Sequence, residues 1–500
     1  MNSVPPVDGP VRTERKGVAF GAALILGGAA VVYAFARGHH SRESFDTDPP
    51  PVPAQAATVF PLKVSSSGRY LVDQNDKPFR IQSEAAWIMS TRGTAATVDQ
   101  YLADRKSRGF NAFILMNLVH SPNQYGWPTT NQAGQAPFTT ADAFDTPNNA
   151  YFDFIEVIID KAAAQGFAVE FFYTYAGYAG GDQGWWAAVG NSHNSQAICY
   201  AWGQYLGNRF KNKANLIWMV GGDYTMPQGE TFTRMHKILE GIRSTGAMQL
   251  AGSEWSDPDS LVTDQQGFTY GTNPATSDMQ IDSFYGYGPG QSGQVYDTAN
   301  RSWARTSPVL PGMIEEPMYT YDNYTGVDSS RPAARKYQHW SMTSGGIAGS
   351  VWGIKGIWGF DDLTQLNDVA VRDQQRLYSL YQSFSWWLMR PSGTGTGFAG
   401  RTLIVSGAGT GNSTVTSSIT SDGATLIAYV PPTGTAATSF SVDLRSMAGN
   451  SRARWWNPTT AAYTDITGGA YSLANTIDSQ PFTSPGDNGT GANDWVLVVE

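Results

Sequence analysis

From residue 80 to residue 354, short apolar runs alternate with longer stretches in which apolar positions recur every three or four residues. The short runs predict strands at 80–87, 111–118, 167–175, 215–223, 247–253, 279–286, 309–316 and 347–354. The longer stretches predict helices at 96–108, 151–165, 195–211, 229–243, 332–344 and 366–388. In the second of these, Phe152, Ile155, Val157, Ile158 and Ile159 form an apolar face, and Asp153, Glu156, Asp160 and Lys161 a wet one. Strand followed by helix, repeated, implies a parallel sheet. Eight such units fit a closed barrel, and the Gly-rich phosphate turn of an open nucleotide-binding sheet is missing after the first strand. The turn at Asn75 and Asp76 predicts a hairpin under the barrel floor.

The pattern changes at MRPSGTGTGFAG, residues 389–400. Beyond it the chain is rich in Thr, Ser, Gly and Val, with short alternating runs such as TLIAYV, FSVDLR and WVLVVE. The expected fold class is therefore α/β, a (β/α)8 TIM barrel over 61–392 followed by a small all-β sandwich over 393–500. Trp455 and Trp456 either stack on a sugar or fill the sandwich. Adjacent strand residues point to opposite faces, so a simple strand puts at most one of them in the core.

The N-terminus reads differently. Arg12, Arg15 and Lys16 precede an uncharged run, Gly17–Ala36, long enough at 1.5 Å per residue to cross a bilayer core. The basic flank predicts that residues 1–40 are a cytoplasmic tail with a transmembrane anchor, or a signal sequence cleaved after Ala36, and that the bulk of the chain is exported. The polar, Pro-rich segment 41–60 reads as a spacer. The expected location is outside the cytoplasm, periplasmic or extracellular, either membrane-anchored through 17–36 or secreted.

Composition narrows the partners. A net charge of −9 with no Lys/Arg cluster excludes nucleic acid as a partner. With one cysteine, Cys199, the chain has no internal disulfide and no multi-thiolate zinc site. No His pair within the barrel has ligand spacing, so neither a metal nor a cofactor is expected. Aromatics make up 13% of the residues, a surplus suited to sugars, whose rings have apolar C–H faces and hydroxyl rims.

Barrel chemistry lies at the C-terminal ends of strands. Asp223 ends the fourth strand behind Gly221 and Gly222, and Glu315 and Glu316 end the seventh before Pro317. Two strand-end carboxylates are what glycosidic cleavage requires. Among the other acids Glu254, at the end of strand five, competes most directly. Glu170 lies mid-strand and suits an internal hydrogen bond, and Glu84 is a candidate to orient a catalytic group or bind a sugar hydroxyl. Helix caps and salt bridges are the alternative for strand-end acids. Strand alternation lets only one of Glu315 and Glu316 face the mouth. Trp87, Asn117, His120, Tyr175, Trp185, Trp186, Tyr285 and Trp352 are candidate sugar contacts, with simple packing the alternative.

The strings GGDQGWW (180–186), NLIWMVGGD (215–223) and IEEPMY (314–319), in the family's order, resemble the apiosidase-like glycoside hydrolases. RARWWNPTTAAYTDI (452–466) and NDWVLVVE (493–500) resemble the small domain, named for collagen binding, that often follows such barrels. The resemblance spans about residues 65–500. It implies Asp223 as acid/base, Glu316 as nucleophile and a carbohydrate substrate such as an apiose-bearing pectin side chain. Relatives in the wider retaining clan have Asn–Glu where this chain has Gly222–Asp223, so a usual partner of the sugar 2-hydroxyl is missing. The acid, Asp223, should be held protonated and Glu316 ionised. A non-catalytic glycan-binding or envelope scaffold, and a transglycosylase acting on an envelope polysaccharide, are the alternative readings.

Overall fold

The computed structural model describes residues 49, 52, 57–120, 125–177, 184–223, 229–255, 268–287, 295–322 and 327–500. The apolar run Gly17–Ala36 lies outside them, and so does most of the spacer. Among the described residues no helix is long and apolar enough to cross a membrane.

Eight parallel strands form one sheet: strand one Ile81–Ala85, two Ala112–Met116, three Ala168–Tyr175, four Leu216–Gly222, five Ala251–Trp255, six Asp282–Gly286, seven Gly312–Pro317 and eight Gly349–Trp352. Hydrogen-bonded pairing runs from five through four, three, two, one, eight and seven to six. Strands five and six close the ring without a regular ladder: the amides of Gln280 and Ile281 donate to the Ala251 carbonyl at 2.9 and 3.2 Å, and Ala251 N–H donates to the Gln280 side chain at 2.9 Å. Each strand is buried on both faces because both are covered, even where it carries polar residues such as Gln82, Ser253 and Asp282. In strand two Ala112, Ile114 and Met116 fill the barrel, whereas Phe113 and Leu115 pack under the helices. Leu62, Leu71 and Phe79, from a small antiparallel sheet around the turn at Asp76, join the barrel-interior cluster and close the floor.

The helices follow the apolar periodicity with two departures. Asn149–Gln165 buries Phe152, Ile155, Ile158 and Ile159 but leaves Val157 38% exposed. The last predicted helix is shorter, Val369–Gln382, with single turns at Leu363–Asn367 and Trp386–Leu388 on either side. A further helix, Val295–Ala304, precedes strand seven. Cys199 is buried in the helix Gln196–Phe210, as packing would have it.

The C-terminal unit has a six-stranded and a three-stranded antiparallel sheet. Its first strand, Met389–Pro391, pairs with Thr416–Thr420 and so lies ahead of the expected boundary. Both Trp455 and Trp456 are buried, on opposite faces. Trp455 fills the space between the sheets, and Trp456 lies against His339 of the helix Arg331–Thr343. Neither is available to a sugar. The sheet face carrying Ile427, Tyr429, Val496 and Val498 shares a buried cluster with the barrel helices. At its centre Arg335 bonds Asp494 at 2.7 and 2.8 Å and Asp373 at 2.8 Å. The same burial, with Arg335 and Arg80 nearby, pushes His339 down to about 3, so its ring stacks on Tyr429 as a neutral group.

Candidate active site

Strand four ends in two glycines whose backbones only glycine adopts readily, with φ of 119° at Gly221 and 135° at Gly222. A Cβ at Gly221 would sit 1.7 Å from the Glu254 carbonyl oxygen, and one at Gly222 would sit 2.6 Å from the Tyr175 ring. The glycines thus let strand four close on strand five and deliver Asp223 to the mouth beside Tyr175. The Tyr285 hydroxyl, from the end of strand six, donates to Asp223 Oδ1 at 2.5 Å.

On strand seven the pairing register slips between Ile314 and Glu316, so that Ile314 opposes Phe284 and Glu316 opposes Tyr285. This bulge suspends strict alternation. Glu315 turns into the barrel beside Glu170, while Glu316 reaches the mouth beside Glu254 and Tyr319. Both glutamates therefore face inward at different depths. The Trp87 indole N–H donates to the Tyr319 hydroxyl at 2.8 Å, and Trp87 itself packs on Phe172 and Tyr175 at 4.6 and 5.1 Å.

Asp223, Glu254 and Glu316 each present a carboxylate oxygen within 4.8 Å of the others. Such a trio either shares protons or takes a hard cation, for which oxygen ligands at this spacing are suitable. Burial, then Asp223 and Glu254, pushes Glu316 well above the usual carboxyl range. Burial likewise pushes Glu254 up to about 8. The simple expectation of an ionised Glu316 is thus modified by a third carboxyl. Deeper in, burial raises Glu170 to about 7 and, together with Glu170 and Glu254, raises Glu315 well above its ordinary value. Burial and the adjacent carboxylates raise the phenols of Tyr175, Tyr285 and Tyr319, which remain protonated donors.

Of the sequence-predicted contacts, Trp87, Tyr175 and Tyr285 gather around the carboxylates. Asn117 is fully buried just beyond strand two, its side-chain amide without a partner. Others lie elsewhere. Trp352 faces outward from strand eight, packs on Phe110 and donates to Thr320 Oγ1 at 2.9 Å. Trp185 joins an aromatic cluster with Phe138 and Phe144 under the helices, and Trp186 packs at its edge. His120 lies edge-on to Trp185 at 5.0 Å, with Nε2 3.5 Å from Asp142. Trp352 and Trp185 are therefore core residues, because their backbone positions direct them into the helix layer. Residues 180–183 of the GGDQGWW string lie outside the described residues. Glu84 is not a sugar ligand either: it points outward into a fully buried ion pair with Arg105, at 2.5 and 2.9 Å. Tyr319 was not singled out in the sequence, although it ends the IEEPMY string.

A parallel eight-stranded barrel with carboxylates converging at its C-terminal mouth is the arrangement a glycosidase needs. Residues 65–390 match the model described as "Apiosidase-like, catalytic domain", and the chain belongs to that family. Residues 400–500 match "Putative collagen-binding domain of a collagenase". The fold is similar to that of a glycoside hydrolase family 5 structure from Bacteroides vulgatus, with a TM-score of 0.70, 20% identity, and 88% of this chain and 93% of that one covered. A second structure, titled "Glycoside hydrolase", has the same TM-score and identity and covers 88% of this chain and 98% of its own. No curated protein matches the sequence significantly.

Proposed function

We propose that the protein cleaves a glycosidic bond with retention of configuration, using Glu316 as nucleophile and Asp223 as acid/base. The observation that carries this reading is the proximity of the two groups: oxygens of Asp223 and Glu316 lie within 4.8 Å of one another. Inverting enzymes hold their carboxyls about 6.5–9.5 Å apart to admit a water, and retaining ones about 5–5.5 Å. In the first step Glu316 attacks the anomeric carbon while Asp223 gives a proton to the leaving oxygen. In the second, Asp223 takes a proton from water, which displaces Glu316.

Glu316 must be a carboxylate when it attacks. Burial, Asp223 and Glu254 raise its affinity for a proton, and Tyr319 lowers it. The two carboxyls titrate as a unit, so Glu316 becomes charged only as protons leave the Glu254–Glu316 pair. Tyr285 holds Asp223 through its hydroxyl. The substrate reading follows the family: a branched, apiose-bearing or related glycan. The test is a screen of aryl furanosides, aryl pyranosides and polysaccharides, with anomeric configuration followed by NMR. Initial release of the inverted anomer would overturn retention, and silence across the panel would overturn hydrolysis.

The run Gly17–Ala36 supports export, with the barrel acting outside the cytoplasm. Cell fractionation that recovered the chain in the cytosol would refute it.

A further inference from the structure

A cavity of about 440 Å³ lies among the segments that follow strands one, two, seven and eight. Its shape is set by three rings. Tyr125 stacks on Trp127 at 4.5 Å and 18°, and Trp358 stands nearly perpendicular to both, at 5.4 and 5.3 Å. The outer ring is not core: Tyr125 is 49% exposed, against 8% for Trp127 beneath it. A flat aromatic face left open, with a second ring forming a corner, fits one face of a sugar ring.

The rim is polar but not strongly charged. Arg92 is held by Asp361 at 2.8 Å and by the Gly359 carbonyl at 2.6 Å. Asp362 caps the following turn by accepting from Thr364 N–H at 3.0 Å. Lys355 and Gln365 complete the lining. With two cations and two anions the rim offers donors and acceptors without the net charge that a phosphate or a polyanion requires. Hydroxyls suit it.

The cavity lies close to the residues around the carboxylates, Tyr125 being near enough to Tyr175 to raise its phenol. Trp127 belongs to the same buried cluster as Trp87, Tyr175 and Tyr319, and Tyr321 of the cavity wall follows Tyr319 by two residues. Tyr319 in turn lies beside Glu316, which raises its phenol.

We infer that the Tyr125–Trp127–Trp358 corner is a second sugar subsite beside the catalytic mouth, so that the substrate is an oligosaccharide or branched glycan with at least one further ring docked there. This rests on the glycosidase reading, and two measurements keep the two apart. In the first, Tyr125→Ala and Tyr125→Phe are compared with the unchanged protein on an aryl monoglycoside and on oligosaccharides of defined length from pectin, arabinan and galactan. Tyr125→Ala should lower the ratio of kcat/KM on oligosaccharide to that on aryl glycoside about ten-fold, equivalent to about 1.4 kcal/mol, and Tyr125→Phe should restore it. An unchanged ratio in a variant that melts normally overturns the subsite. In the second, calorimetry measures binding of the same oligosaccharides to Glu316→Gln with and without Tyr125→Ala. Loss of binding on removing Tyr125 supports the subsite even if no glycoside is ever hydrolysed, in which case only the hydrolytic reading falls. Binding indifferent to Tyr125 overturns the subsite.

Discussion

Glu254 and Glu316 meet carboxyl to carboxyl at the barrel mouth, joined across the seam where strands five and six close the ring. Two carboxylates attract only if a proton lies between them, so Glu254 governs when Glu316 is charged. Replacing Glu254 by Gln removes the second titrating group but keeps a donor toward Glu316. The ionisation of Glu316 should then move to lower pH, and the acid limb of kcat/KM against pH with it, by roughly one unit or more. A limb that stays in place would mean that the pair is not coupled. A divalent cation that binds the unchanged protein tightly, and raises its activity, would mean that the trio is a metal site instead.

The roles of Asp223 and Glu316 can be separated by chemistry. Alanine at either position should lower kcat/KM by about three orders of magnitude or more. Azide added to Asp223→Ala should intercept the glycosyl-enzyme and yield a glycosyl azide of retained configuration. Azide added to Glu316→Ala should occupy the nucleophile's place and yield the inverted azide. Exchange of the two outcomes would exchange the roles, and rescue at Glu315→Ala would move the nucleophile one residue.

Stability should fall as pH rises. Glu170 and Glu315 are buried against one another, with Glu170 pushed up to about 7. A carboxyl raised in the folded state binds its proton more tightly there than in the unfolded chain. Its contribution is thus complete below the unfolded pKa and is lost as pH climbs through the folded one. Glu170→Gln removes that penalty while keeping the shape. It should raise Tm at pH 8 relative to the unchanged protein by a few degrees, on the order of 2 kcal/mol, and make little difference at pH 4. An equal shift at both values would show that the effect is packing and not titration.

What the sequence made legible follows from covalent order. Strands two, three and four were readable because a barrel strand buried on both faces appears as an apolar run. The more polar ones, such as IQSEA and AGSEW, were readable from their place in the strand–helix alternation. The helix Val295–Ala304 was missed because its buried stripe, Val295, Ala299 and Trp303, is one residue per turn in an otherwise polar segment. The place of Asp223 and Glu316 at the barrel mouth could be read because a strand end is a sequence feature. The proton partner of Glu316 could only be narrowed to a rival, since Glu254 lies on another strand and the pair exists only once the ring closes. The outward direction of Trp352 is a matter of parity: it pairs with Glu84, which also points outward, and that register is set by neighbours remote in sequence.

The C-terminal sheets are held as part of the barrel's structure. Arg335 is 1% exposed and divides its guanidinium between Asp373 on the barrel side and Asp494 at the start of the last strand. Around it Ser418 Oγ donates to the Thr343 carbonyl at 2.8 Å and the Trp340 indole to the Thr414 carbonyl at 2.9 Å. A buried cation that loses one of its anions keeps its desolvation cost, so breaking such a pair typically costs about 3–5 kcal/mol. Asp494→Ala should therefore lower Tm by several degrees, even though Asp494 lies far along the chain from any proposed catalytic residue. Barrel and sheets should also melt in one transition by calorimetry and by tryptophan fluorescence. Two separate transitions in the unchanged protein would show that the sheets are an independent module, and would return a ligand-binding role for them to consideration.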